Sequence, residues 1–158
     1  PWSIVRYEQL AAALDTEVGA AVTAQSVRDA VGMLRRGKGT VLDEDDPDTR
    51  SAGSFFTNPV VDASVADALP TDCPRYASAD GIKLSAAWLI EHAGITRGWQ
   101  VRPASGARVS TKHTLALTNA DGATTAEILE LARAIVSRVQ ESFGITLQPE
   151  PVLVGCTL

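Results

Sequence analysis

The segment Gly53-Ser54-Phe55-Phe56-Thr57-Asn58-Pro59 places a hydroxyl and an amide four residues apart, beside two aromatic side chains. In extended backbone Ser54 and Asn58 fall on one face, Phe55 and Phe56 project to opposite faces, and Gly53 permits close approach to the main chain. A serine hydroxyl is a weak acid, so it protonates only a strongly basic partner, such as a carbanion held within hydrogen-bond reach. The residues alone also describe an ordinary strand-opening serine and turn asparagine, and taken alone they favour that reading.

Pro149-Glu150-Pro151 is the second unusual segment. Flanking prolines restrict the backbone to extended geometry and remove two donors, so the Glu150 carboxylate stands on a stiff support; strand-edge punctuation explains the same residues equally well. Gly32 to Gly39 approaches the phosphate-binding pattern G-x-x-x-x-G-K-[ST], but Gly39 replaces the hydroxyl, and the glycines close a helix instead of opening one. Lys38 therefore reads as a solvated helix-terminal lysine that can still meet a phosphate as a point charge. Lys112 and His113 precede Thr114-Leu115-Ala116-Leu117 as polar residues at a strand start.

Other candidates are weaker. The acidic run Asp43 to Asp48 lacks the glycine and terminal glutamate of a calcium loop and reads as solvated. No G-x-S-x-G elbow supports a serine hydrolase, and His92 belongs to a helix end. Trp88 reads as core or pocket wall. No G-x-G-x-x-G is present, and Cys73 and Cys156, 83 positions apart, have no metal-ligand spacing.

These residues need elements to hold them. Trp2 to Tyr7 reads as a strand leading into a helix over Glu8 to Leu14, followed by an amphipathic helix that Thr23 caps and Arg35-Arg36-Gly37 closes. Gly39 to Ala52 reads as an exposed loop or hinge. Ser54 to Val61 reads as a strand broken by Pro59, Asp62 to Leu69 as a short helix, Thr71 to Gly81 as loop, and Leu84 to Ala93 as a helix stopped by Gly94. A strand around Leu115-Ala116-Leu117 precedes the longest helix, which opens on the capping box Thr124-Thr125-Ala126-Glu127 and stops at Gly144. Ile145 to Leu147 and Val152 to Val154 are strand candidates. Helices and strands mix without regular βαβ repetition, which predicts an α+β fold with a small, mostly antiparallel sheet packed against helices.

With 158 residues and 45% hydrophobic content the chain suits one globular core. No apolar stretch exceeds five residues, so no bilayer span is expected. Net charge is −5, from 14 lysines and arginines against 19 acids, which disfavours nucleic-acid binding. Pro1 is not an initiator methionine and no secretory leader follows it, so the chain reads as trimmed, processed or internal and its setting as cytoplasmic.

Gly53 to Pro59, Lys83 to Gly94, Ser110-Thr111-Lys112-His113 and Phe143 to Glu150, in this order and spacing, resemble the UDP-N-acetylenolpyruvoylglucosamine reductases (MurB). The likeness runs from about Val5 to the end and corresponds to the C-terminal half of that family, without its amino-terminal FAD-binding region. It implies an enzyme in which NADPH reduces FAD, and the flavin passes hydride to UDP-N-acetylglucosamine enolpyruvate, giving UDP-N-acetylmuramate for peptidoglycan synthesis. By resemblance Ser54 is the proton donor and Glu150 the catalytic glutamate that positions or polarises the enolpyruvyl group. Asn58 matches a substrate-contacting asparagine, Lys38 a lysine near the diphosphate, and His113 a position that lines the same pocket.

The resemblance further implies that residues 1–38 are the remnant of the flavin domain and connecting helix, 39–148 the substrate-binding domain, and 149–158 a segment carrying the glutamate. The expected state is a monomer, with neither FAD nor metal held by this part alone and with turnover dependent on the other half. Thr57 stands where the family often has lysine, Pro151 where it has an aliphatic residue, and Ala87 where it has glycine. The family's catalytic arginine and tyrosine-containing segment fall outside the chain. Two other readings remain at this level: a non-catalytic UDP-sugar-binding module using Lys38, Asn58 and His113, and a structural or protein-interaction domain.

Overall fold

The computed structural model describes residues 1–158. Strand β1 (Trp2–Ile4) pairs antiparallel with β2 (Ala21–Thr23), with helix α1 (Glu8–Ala13) between them. Helix α2 (Ala24–Gly37) starts at Thr23, whose extended backbone turns its hydroxyl back to accept from Ser26 N at 3.1 Å. Arg35 and Arg36 occupy the last turn, where the carbonyl end of the helix favours positive charge. This unit has a core of only four buried residues, Val5, Leu10, Ala11 and Ala30. The α2 stripe is thinner than its spacing implies, since Val31 and Met33 stay exposed.

The main core follows. A short 3₁₀ turn (Pro47–Thr49) leads into β3 (Ser51–Ser54), then β4 (Val60–Val61), α3 (Ala63–Asp67), β5 (Arg75–Ser78), β6 (Gly81–Leu84) and α4 (Ala86–His92). Strands β7 (Ala107–Val109) and β8 (Ala116–Asn119) precede α5 (Thr125–Phe143). Two three-stranded antiparallel sheets result, ordered β3-β8-β7 and β4-β6-β5. The fold is α+β, with helices packed on small antiparallel sheets, as the segment pattern predicts.

Helix α5 organises this core. Thr124 accepts from Glu127 N while the Glu127 carboxylate accepts from Thr124 N, satisfying two amides that the first turn leaves open, and Gly144 ends the helix in left-handed conformation. Leu131, Ile135 and Val139, one helical turn apart, are fully buried against Val109, Leu117 and the α4 residues Leu89 and Ile90.

Three expectations change. Thr71 to Gly81 is not all loop: Arg75–Ser78 forms a hairpin with β6, and Ser78 pairs with Gly81 around Ala79-Asp80. The signal was obscure because the glycine follows the turn instead of forming it. Val152 to Val154 is not a strand; Val152 is 88% exposed, and Pro151 removes a donor the ladder would need. Ile145 and Leu147 reach the core as irregular extended chain, and Pro149 makes one isolated bridge with Phe56.

Candidate active site

Ser54 ends β3 opposite Ala116 of β8, while Phe55 N donates to Leu115 O at 2.7 Å. Phe55 and Phe56 are buried in the core, one against the other edge-on, so they hold Ser54 at the rim of a rigid layer. Between β7 and β8 the chain makes a tight turn in which Ser110 Oγ accepts from the amides of Lys112 and His113, and Ala116 N donates to His113 O. The turn brings His113 over the end of β3. Its Nε2 lies 3.4 Å from Ser54 Oγ, across 59 residues of sequence.

His113 is half-buried, and that burial, reinforced by the charges of Lys38 and Arg97, pushes its pKa below the ordinary 6.5. The imidazole is therefore neutral at neutral pH, and one ring nitrogen donates while the other accepts. Lys38, just past the end of α2, is exposed and donates to Gln9 Oε1 at 3.4 Å. It also lines a groove of about 570 Å³ with Arg6, Tyr7 and Arg35. Arg97 had no motif to mark it; only the folded chain shows its charge facing His113.

Glu150 reaches the same ladder from the C-terminal side. Thr57 N donates to Gln148 O at 3.0 Å and Glu150 N to Phe55 O at 2.8 Å. The Glu150 side chain is exposed and takes part in no ion pair. Asn58 is differently employed: its Oδ1 accepts from Ala86 N at 2.9 Å and, with Ser85 Oγ accepting from Trp88 N, closes the start of α4. The residue is otherwise exposed, and its amide nitrogen takes part in no hydrogen bond within the chain. The structure thus brings Ser54, His113 and the charge of Lys38 together, sets the Glu150 backbone beside them, and ties Asn58 to a neighbouring helix.

The largest groove, about 620 Å³ between α5 and the C-terminal tail, is lined by Pro149 but by none of Ser54, Asn58 or His113. Trp88 is buried, donates from Nε1 to Asp72 Oδ2, and stacks on His92, whose Nδ1 donates to the Trp88 carbonyl. Both read as framework.

The acidic run is not simply solvated, which corrects the expectation for it. Asp48 is 3% exposed and Asp46 pairs with Lys112 Nζ at 2.5 Å. Desolvation alone would raise the Asp48 carboxyl, yet bonds from the Thr111 hydroxyl and amide, help from Ser110 and the Arg108 charge hold it below 3.8.

Residues 45–154 match the family described as UDP-N-acetylenolpyruvoylglucosamine reductase, C-terminal domain. The chain belongs to that family. It is 53% identical over 158 residues to the UDP-N-acetylenolpyruvoylglucosamine reductase of Mycobacterium sp. (strain MCS), covering 98% of this chain and 45% of the relative. It is 49% identical to the reductase of Mycobacterium tuberculosis, with 98% and 44% covered, and 52% identical to that of Saccharopolyspora erythraea, with 98% and 45% covered. The chain spans less than half the length of these curated relatives.

A flavin dinucleotide needs backbone donors for its phosphates, typically at an open helix N-terminus. Here side chains cap one or two first-turn amides on each of three helices, Ser26 N of α2 by Thr23, Ala86 N and Trp88 N of α4 by Asn58 and Ser85, and Glu127 N of α5 by Thr124, while α1 and α3 carry no side-chain cap. No group of three or more His, Cys, Asp or Glu side chains converges to hold a metal ion.

Proposed function

We propose that this chain is the substrate-binding and proton-donating half of a reductase that converts UDP-N-acetylglucosamine enolpyruvate to UDP-N-acetylmuramate in peptidoglycan biosynthesis. The whole enzyme uses NADPH and FAD, held by protein beyond these residues, and works in the cytoplasm as a monomer. Residues 39–148 form the substrate domain, 1–38 belong with the flavin-binding part, and 149–158 present the catalytic glutamate. No helix here is long and apolar enough to cross a membrane, in keeping with a water-borne substrate.

The observation that carries this reading is the 3.4 Å contact between Ser54 and a neutral, half-buried His113, with the charges of Lys38 and Arg97 on the imidazole. Saturating the enolpyruvyl double bond adds a hydride to one carbon and a proton to the other. The carbon that receives the proton carries the electron pair, stabilised as an enolate by the adjacent carboxylate, and is basic enough to take a proton from a serine. For Ser54 to give its proton outward, Nε2 of His113 must donate to Oγ, which leaves the hydroxyl hydrogen free to point at substrate. The same N–H then stabilises the oxygen as negative charge develops, and the nearby cations favour that charge.

Lys38 serves the substrate diphosphate as a point charge, the Asn58 amide and His113 contact the sugar nucleotide, and Glu150 positions the enolpyruvyl group. This chain's residues bind, orient and protonate; the hydride arrives from the part of the protein that holds the flavin.

The test is Ser54→Ala in full-length protein. Substrate-dependent NADPH oxidation should collapse, while flavin reduction by NADPH and substrate affinity by calorimetry persist. Turnover at the wild-type rate would remove Ser54 as the acid. If flavin is absent from the full-length protein and Asn58→Ala abolishes sugar-nucleotide binding, the chain is a non-catalytic UDP-sugar-binding module instead.

A further inference from the structure

Asp48 lies where three site-bearing segments meet. It sits in the 3₁₀ turn that runs into β3, six residues before Ser54. Its carboxylate accepts from Thr111 N at 2.9 Å through Oδ1 and from the Thr111 hydroxyl through Oδ2, reaching 63 residues along the chain to the turn that carries His113. On its other side it packs against the turn after Lys38. Gly39 is buried with φ +67°, and a Cβ there would stand 3.2 Å from both Asp48 Cβ and Asp48 O.

A buried carboxylate needs partners for its oxygens, and here both are used on a single residue two positions before His113. Asp46, which accepts from Asp48 N at 3.0 Å through Oδ1 and from Lys112 Nζ through Oδ2, adds a second tie to the same turn. Arg108 of β7 contributes positive charge from the sheet side, without a direct ion pair. No hydrogen bond joins Asp48 to Ser54 or to His113, so Asp48 acts through the backbone it holds.

We propose that Asp48 is a positioning residue for proton donation: it fixes the Ser110–His113 turn against β3 and so sets the Ser54–His113 contact. This rests on the reading of Ser54 as the proton donor. Asp48→Ala breaks both ties to Thr111. Asp48→Asn keeps the shape, with Oδ1 still accepting from Thr111 N and Nδ2 able to donate to Thr111 Oγ1, and so restores the tie without the charge.

The experiment is a double-mutant cycle in full-length protein, run where melting curves show every variant folded. Asp48→Ala should lower kcat about 10- to 100-fold, the loss expected from displacing a reacting group by about 1 Å. Flavin reduction by NADPH should be unchanged and Asp48→Asn should recover most of the rate. In a Ser54→Ala background Asp48→Ala should cost nothing more, because its effect passes through Ser54. An equal loss in both backgrounds marks a merely structural role and overturns the proposal, as does wild-type kcat in Asp48→Ala.

A readout independent of turnover accompanies it: the His113 ring ¹⁵N resonances, assigned with His113→Gln, should move in Asp48→Ala and return in Asp48→Asn. Unmoved resonances overturn the proposal. Full activity of Ser54→Ala with the His113 signals displaced in Asp48→Ala instead overturns the proton-donor reading and leaves the tie itself established. Should Asp48→Ala not fold, Thr111→Val breaks the hydroxyl tie from the other side, with Thr111→Ser as its rescue, and the same outcomes decide.

Discussion

The backbone amide of Glu150 donates to the carbonyl of Phe55 across 2.8 Å, so the main chain that carries the Glu150 side chain is tied to the residue next to Ser54. Pro149, bridged to Phe56, stiffens the approach. The position is maintained by main chain, while the carboxylate itself stays exposed and outside any ion pair. Glu150→Gln should therefore leave stability within about 0.5 kcal/mol in urea titration. It should lower kcat of the full-length enzyme about 10²-fold or more, the scale of a lost electrostatic or acid–base group.

His113 titrates below 6.5 because burial disfavours the imidazolium, with Lys38 and Arg97 adding like charge. Above 6.5 both folded and unfolded chains carry it neutral, and it gives no pH dependence. As pH falls from 6.5 through the lower folded value, the unfolded chain takes up the proton first, so stability is lost over that window. An NMR titration of the His113 ring should place its midpoint below 6.5. Lys38→Ala and Arg97→Ala should each move the midpoint upward; a midpoint unmoved by either would remove that residue from the imidazole's surroundings.

Helix α5 was legible because its caps and its apolar spacing are local: Thr124, Glu127 and Gly144 mark the ends, and Leu131, Ile135 and Val139 mark the buried face. Ser54, Asn58 and Glu150 could be singled out because unusual neighbours surround them. The pairing of Ser54 with His113 could not, since it depends on β3 lying against β8 and on how the β7–β8 turn folds. Asp48 was hidden more deeply. It stands in a run of acids whose average behaviour is to face water, and only the folded chain shows its burial and its bonds to Thr111. Arg97 carries its positive charge to His113 through tertiary structure alone.

Two glycines should respond in opposite directions to alanine. Gly32 lies inside α2, where a Cβ would meet only the flexible Arg36 side chain at 3.5 Å. Gly32→Ala should stabilise the protein by about 0.5–1 kcal/mol through reduced backbone entropy in the unfolded chain. Gly81 holds φ +142° at the start of β6, and a Cβ there would stand 2.5 Å from Val61 O. Gly81→Ala should destabilise by about 2 kcal/mol or more, as strained backbone and a clash with main chain combine. Urea midpoints at unchanged slope measure both.

Arg75 ties the whole connection from α3 to β5. Its Nη2 donates to Ala66 O and Leu69 O at 2.9 Å and to Pro70 O at 3.0 Å, while Nη1 donates to Thr71 O and Cys73 O. A single guanidinium thus gathers carbonyls of the short helix α3 and the following loop around one planar group, a service a lysine ammonium with three donors cannot match in planar geometry. Arg75→Met keeps the stem and removes the donors, so it should cost about 2–4 kcal/mol, given that bonds to charged groups are worth about 1.5–3 kcal/mol each and do not add fully. Hydrogen exchange should quicken first in residues 66–75. The His113 ring resonances should stay in place, because this connection lies outside the ties that hold the β7–β8 turn; their displacement would show that the two halves of the domain are mechanically coupled.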